Sequence, residues 1–271
     1  MRRTESRAVL VLDSPLLTFL QELPAPYALR RVGDWNALHG ELKDAPPSTV
    51  VLLDPRDGGD APSERVRELV SRFPLTPVVV ALELDPALVG GLRTLLEWGV
   101  SEVVNTRMEA TPGAVAYRLP AAHARPLKRR VEAAVPRSVS RDGLTLIHAA
   151  AEVAADGGGA PELAGLLGAR PRTVAGWCGR EGLPDPRRLQ AWMRLFLAAA
   201  LLEDPERTVV SAARACGYAT DHSLRRTARE LLGGTAPPRP DAFRAAAGAF
   251  TAELRELRER ARERRRARSA G

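Results

Sequence analysis

A chain of 271 residues has room for two domains of ordinary size, each with its own buried core. At 45% hydrophobic and 27% charged residues the balance is that of a globular protein and excludes a disordered one; with 4% aromatics, the cores must rest on Leu, Val and Ala. The formal charge of +7 comes almost wholly from arginine, which suits contacts to phosphate and base edges and also describes a solvated basic surface.

Residues 7–135 alternate between β-rich and helical patterns. Strands are expected at 8–12, 27–32, 49–53, 77–82 and 102–105. Three of these runs (AVLVL, TVVLL and PVVVAL) are continuously apolar, as central parallel strands covered on both faces must be. Helices are expected at 15–23, with Leu16, Leu17 and Leu20 inside, and at 63–73, with Ser63 as cap and Pro74 as stop. Two more are expected at 86–98, from Asp85 and Pro86 to Gly99, and at 125–135, with Leu127, Val131 and Val135 inside. Such β/α units predict a doubly wound α/β sheet. Residues 106–124 read as a long connection broken by Pro112, Gly113 and Pro120. His123, inside it, has no neighbouring ligand that would make a metal site.

An Asp follows the first strand in VLVLDSP and another follows the third in VVLLDPRDGG. With these motifs, residues 1–135 resemble a response-regulator receiver domain, a flavodoxin-like fold. The resemblance implies that Asp54 is the phosphate acceptor and that Asp13 and Asp54 are carboxylates toward magnesium, a hard cation that takes oxygen ligands. Receivers carry two adjacent acids after the first strand, a Ser or Thr ending the fourth and a Lys ending the fifth. Here Asp13 is followed by Ser14, and Leu82 and Asn105-Thr106-Arg107 stand at the other two places. The domain therefore reads as a degenerate receiver, a dimerisation or partner-binding platform that works without phosphorylation; the alternative is a response regulator controlled at Asp54.

Residues 136–141 (PRSVSR) read as a linker. Asp142 is placed to cap a helix carrying Leu144, Leu146, Ile147 and Val153, which ends at Asp156-Gly157-Gly158-Gly159. His148 on it reads as a partly buried structural residue. Two short helix–turn–helix patterns follow. In the first, Leu163, Ala164, Leu166 and Leu167 form an apolar face, Gly168 makes the turn, and Val174 and Trp177 anchor the next helix. In the second, Val209, Val210, Ala213 and Ala215 do this, Gly217 makes the turn, and Leu224 and Leu231 anchor. Gly217 follows Gly168 by 49 residues. Between the two, 187–202 reads as one largely buried helix.

This plan, over 142–240, resembles the AraC-type DNA-binding domain, an all-α unit with two helix–turn–helix motifs joined by a long helix. Arg194, Cys216-Gly217-Tyr218 and Arg226 match family positions, whereas Cys178 and Ala228 stand where the family has Phe, and Pro237 comes one residue later than its usual Pro. The resemblance implies a sequence-specific, double-stranded-DNA-binding transcription regulator. In a recognition helix the N-terminal part meets base edges, which selects Arg170, Arg172, Thr173 and Gly176 in the first unit and Thr220, His222, Arg225, Arg226 and Arg229 in the second. Asp221 would repel phosphate unless it caps its helix or meets a cytosine amine.

Residues 241–271 form a basic helix with an apolar stripe at Phe243, Phe250, Leu254, Leu257 and Ala261 and a cationic end at Arg264, Arg265 and Arg266. It reads as a fraying solvated end, a dimer seam or a phosphate contact; a homodimer would form through it or through the receiver-like domain. Cys178 and Cys216 lie in apolar helices and read as reduced core thiols of a cytoplasmic protein. No apolar run approaches a membrane span of about 20 residues, and the run behind Arg2-Arg3 stops at Asp13, too soon for an export signal. No nucleophile, base and orienting residue recur at a recognisable spacing, so no enzymatic activity and no cofactor are expected. The competing function from another class is a non-DNA adaptor whose receiver-like domain docks a partner protein.

Overall fold

Among the described residues of the computed structural model, which are 7–46, 49–83, 89–205, 207–234 and 241–269, every expected strand forms. They are β1 (Arg7–Leu12), β2 (Tyr27–Val32), β3 (Val50–Leu53), β4 (Val78–Leu82) and β5 (Glu102–Asn105). All pair in parallel, in the order β2-β1-β3-β4-β5, the order of a flavodoxin-like sheet. The helices between them are α1 (Trp35–Asp44), α2 (Glu64–Arg72), α3 (Val89–Trp98), the single turn α4 (Thr106–Glu109) and α5 (Pro112–Ala134). Asp85, Pro86 and Arg2-Arg3 lie outside the described residues, as do Pro237 and the side chains of Arg264 and Arg265.

Side chains alternate along each strand, so a strand covered on both faces feeds two cores. Leu10, Leu12, Val51, Leu53, Val78 and Val80 join Leu38 and Leu42 of α1, Val66 and Leu69 of α2 and Leu95 of α3. Val9, Val11, Val50, Leu52, Val79 and Ala81 join Leu17, Leu20 and, from α5, Val115, Leu119 and Ala122.

Two expectations change and one helix forms that was not expected. The helix expected at 15–23 is only a 3-10 turn at Pro15–Leu17. Arg31 Nη2 donates to the carbonyls of Leu17 at 3.2 Å and Leu20 at 2.6 Å, satisfying them from β2 instead of from a helical ladder. Leu17 and Leu20 are buried all the same. The helix that does form nearby is α1, capped by Asp34, whose carboxylate accepts from Ala37 N at 2.8 Å. Thirdly, residues 106–124 are mostly helical: α5 begins with Pro112 and continues through Pro120 and Pro126. An internal proline costs a helix about 3 kcal/mol. The burial of Val115, Leu119 and Ala122 against the sheet offsets that cost, and Pro120 itself faces solvent. His123 is buried in this helix.

The chain separates into two compact units, 1–126 and 127–271, dividing inside α5, ahead of the expected linker. The second unit is helical: the end of α5, then α6 (Arg141–Ala155), α7 (Ala160–Leu166), α8 (Pro171–Glu181), α9 (Pro186–Leu201), α10 (Val209–Ala215), α11 (Asp221–Leu232) and α12 (Ala242–Ser269). Ser140, not Asp142, caps α6 by accepting from Gly143 N at 2.9 Å. Helix α9 is the hub. Leu189, Trp192, Met193, Phe196, Leu197 and Leu201 are all buried, and α6, α7, α8, α10, α11 and α12 pack on it.

Helix α12 completes this core. Phe250 lies 5.3 Å from Trp192 and 5.4 Å from Phe196, and Phe243 lies 5.2 Å from Phe196. Glu253 accepts from Trp192 Nε1 at 2.9 Å and from Arg188 at 2.5 and 2.9 Å. Phe250 and Leu254 of the stripe are thus buried within the unit and Phe243 packs on Phe196, because α9 offers an apolar face that water would otherwise meet, while Leu257 and Ala261 are half-buried.

Candidate functional site

Helices α7 and α8 form one pair and α10 and α11 a second. Leu163 and Ala164 are buried on α7; Ala212 and Ala213, 49 residues later, are buried on α10. Leu166 and Val210, expected inside, are instead 51% and 46% exposed, because a seven-residue helix turns only one narrow face to the hub. The turns use Gly168 (φ 60) and Gly217 (φ 74), a left-handed backbone that costs other residues energy. The second helices bury matching positions 50 residues apart: Val174 and Cys178 on α8, Leu224 and Ala228 on α11.

What α8 and α11 leave outside is basic. On α8, Arg170 is the N-cap residue, and Arg172, Thr173 and Gly176 are exposed beyond it. A Cβ added at Gly176 would meet only the tip of Arg180, at 4.0 Å, so the backbone here is open to close approach. On α11, His222, Arg225, Arg226 and Arg229 are exposed. Thr220 caps the helix, accepting from Ser223 N at 3.2 Å while Ser223 Oγ accepts from Thr220 N at 3.2 Å. Asp221 pairs with Arg225 one turn on at 3.4 Å, and Arg226 stands 3.8 Å from Glu230. These exposed pairs leave the guanidinium groups accessible.

Between the pairs, Arg194 of α9 reaches back to the α6–α7 loop, donating to Gly158 O at 2.6 Å and Gly157 O at 3.4 Å. It is the pin that holds the first pair. Burial pushes the Cys178 thiol up to about 11 and Cys216 higher still, so both remain protonated core thiols; neither is in a disulfide.

In the first unit Asp13 and Asp54 end adjacent strands β1 and β3, where the strand order reverses, the usual ligand crevice of an open α/β sheet. Each is already engaged. Asp13 pairs with Arg31 at 3.3 Å. Asp54 Oδ1 accepts from Arg56 N at 3.0 Å and Arg56 Nε at 3.3 Å, and Oδ2 accepts from Ser14 Oγ at 3.4 Å. Among the described residues no group of three His, Cys, Asp or Glu stands close enough to hold a metal ion. At the end of β5, Arg118 binds the Glu109 carboxylate and holds it below the usual carboxylate range. Beside it a cavity of about 540 Å³ is lined by Leu92, Leu96, Val103 and Met108, of which Met108 is 83% exposed.

Of the polar residues of the hub, the sequence pointed to Arg194 but not to Gln190. Gln190 is buried in the middle of α9, and an amide in an apolar helix is the signal that could have found it. Comparison of the chain with models of known families, with curated proteins and with solved structures finds no match. No described helix is long and apolar enough to cross a membrane.

Proposed function

We propose that the second unit binds double-stranded DNA through α8 and α11 and that the protein is a sequence-specific transcription regulator. One observation carries the reading: a repeated helix pair, 49 to 50 residues apart, in which both second helices bury two matching positions and expose arginine. An arginine-bearing helix fits the major groove and donates two hydrogen bonds to guanine. Arg170, Arg172 and Thr173 lead on α8, where Gly176 permits close approach. On α11, Arg225, Arg226 and Arg229 fix register through phosphates, with His222 and Thr220 at the helix start. Two readers on a shared hub would cover about 20 base pairs, two turns of duplex.

The first unit acts in this reading as a signalling platform independent of phosphorylation, since both Asp54 oxygens are occupied and Leu82 stands where a hydroxyl would hold the phosphoryl group. A second reading, docking of a partner protein by this unit, is favoured by the apolar cavity beside Leu96 and Met108. Selection of bound sequences from random duplex DNA by the full chain tests the proposal. An enriched motif supports it, and an unenriched pool at moderate salt overturns it. Treatment with a small phosphodonor is expected to add no phosphoryl mass at Asp54.

A further inference from the structure

The segment between α5 and α6 is held by α12. Thr251 Oγ1 donates to Ala134 O at 3.0 Å, Arg258 Nη1 donates to Ser138 Oγ at 2.7 Å, and Arg258 Nη2 donates to Ser138 O. A tight turn, closed by Val139 N donating to Pro136 O at 2.9 Å, presents Ser138 to this helix. Ser138 is exposed, and it lines a notch of about 90 Å³ with Pro136, Leu254, Arg255, Arg258, Glu259 and Arg262. The charged four recur at helical spacing, so one face of α12 carries them all. Three are arginine and one is glutamate, so cations remain in excess with Glu259 counted against them.

The next serine along shows what a purely structural hydroxyl does here. Ser140 Oγ caps α6, accepting from Gly143 N at 2.9 Å, and donates to the Glu181 carboxylate. A phosphate on Ser140 would meet that glutamate and disturb the cap. Ser138 Oγ instead faces a guanidinium, with Arg255 and Arg262 on the same wall. A hydroxyl offers these groups one neutral oxygen, whereas a phosphate offers three strong acceptors and a charge of about −2. The notch is far smaller than the roughly 300 Å³ at which ordinary ligand pockets begin, so it suits one phosphoryl group and not the body of a metabolite. We propose that Ser138 is a phosphorylation site whose phosphate is held by Arg255, Arg258 and Arg262. A serine kinase transfers the γ-phosphoryl group of ATP to Ser138 Oγ: the ester bond forms as the bond to the departing ADP breaks, and the hydroxyl proton passes to solvent. The product docks through charge-assisted hydrogen bonds and ties α12 to the turn at 136–139. Because α12 packs on both α8 and α11, the modification stiffens the frame that carries the two arginine-bearing helices. That regulatory consequence rests on the DNA-binding reading; the phosphorylation site does not.

The test compares the full chain carrying phosphoserine at position 138, introduced genetically during translation, with the unmodified chain. Phosphoserine should raise Tm by about 2 °C or more. Arg255→Gln combined with Arg262→Gln, both at exposed positions, should leave the Tm of the unmodified chain nearly unchanged and remove the rise. An unchanged or lowered Tm on phosphorylation overturns the proposal. So does a rise that survives the double variant, which relief of the overall positive charge would give. Inorganic phosphate is the second probe. If it raises the Tm of the unmodified chain as much, through the same two arginines, the notch serves a free phosphate and the covalent assignment fails. The modification itself is read by peptide mapping after the full chain is incubated with ATP and a soluble extract of the cells that make it. Phosphoryl mass at Ser138, absent from Ser138→Ala, is expected; no such mass, or mass confined to other residues, overturns the assignment. None of these measurements reads DNA binding, so failure of the chain to select DNA bears on the proposed function alone.

Discussion

Two histidines and two cysteines show how burial sets chemistry one residue at a time. His39 on α1 packs against Trp35 and Phe73, with ring centroids 6.5 and 5.8 Å away. Burial, then the charge of Arg72, holds it below the ordinary value near 6.5, and Glu68 opposes them. His148 on α6 is likewise lowered by burial and by Lys128, against Glu132 at 3.7 Å. A lowered pKa means that the unfolded chain takes up protons first as pH falls. The stabilisation is complete above about 6.5 and is lost as pH drops from there toward the folded values. Tm should therefore fall between about pH 7 and pH 5, and His39→Gln and His148→Gln should each flatten the decline. A Tm that is constant across that window would refute the assignment. Cys178 and Cys216 are both 0% exposed with raised pKa values, so iodoacetamide at neutral pH should leave native protein unmodified and label both thiols after denaturation.

At the scale of elements, the last helix is the instructive one. Gly182, the C-cap of α8, has φ 65, and a Cβ there would lie 2.5 Å from Arg258 Cγ and 3.0 Å from its Cα. Glycine is thus required twice, by the backbone turn and by α12 crossing above it. Gly182→Ala should cost more than about 1 kcal/mol and loosen α12, read as a lower Tm with faster hydrogen exchange at Ala246 and Phe250. Gly179→Ala, on the open face of α8 with no atom within 4 Å of the added Cβ, is the control and should keep or raise Tm. Helix α5 gives a second lesson. Its prolines mark a break in any local reading, and only packing of Val115, Leu119 and Ala122 on the sheet explains why the helix runs on.

For the whole molecule, the division of labour is a parallel sheet in one unit and a helical hub in the other. If α8 and α11 both read DNA, their arginines differ in kind. Arg172→Ala should relax sequence preference and cost about 1–3 kcal/mol. Arg229→Ala should weaken all sequences alike and reduce the slope of log affinity against log salt by about one unit. Fluorescence anisotropy at several salt concentrations distinguishes the two. Identical behaviour of both variants on specific and random duplexes would remove base reading by α8.

Local pattern alone determined the five strands, because β-branched runs such as 50–53 and 78–82 are apolar on both faces and bounded by turns. It determined the duplicated helix pairs too, since Gly168 and Gly217 must adopt a backbone that only glycine takes cheaply. The helix at Trp35–Asp44 was not among the expected elements; it forms with Asp34 as cap and Trp35, Leu38 and Leu42 buried. Tertiary structure decided the rest through partners distant in sequence. Arg31 drew the carbonyls of Leu17 and Leu20 out of a helix, Arg56 and Ser14 occupied Asp54, and Trp192 with Phe196 claimed the stripe of α12. The notch at Ser138 needed the turn after α5 to meet α12, and no periodicity within either of them could announce it.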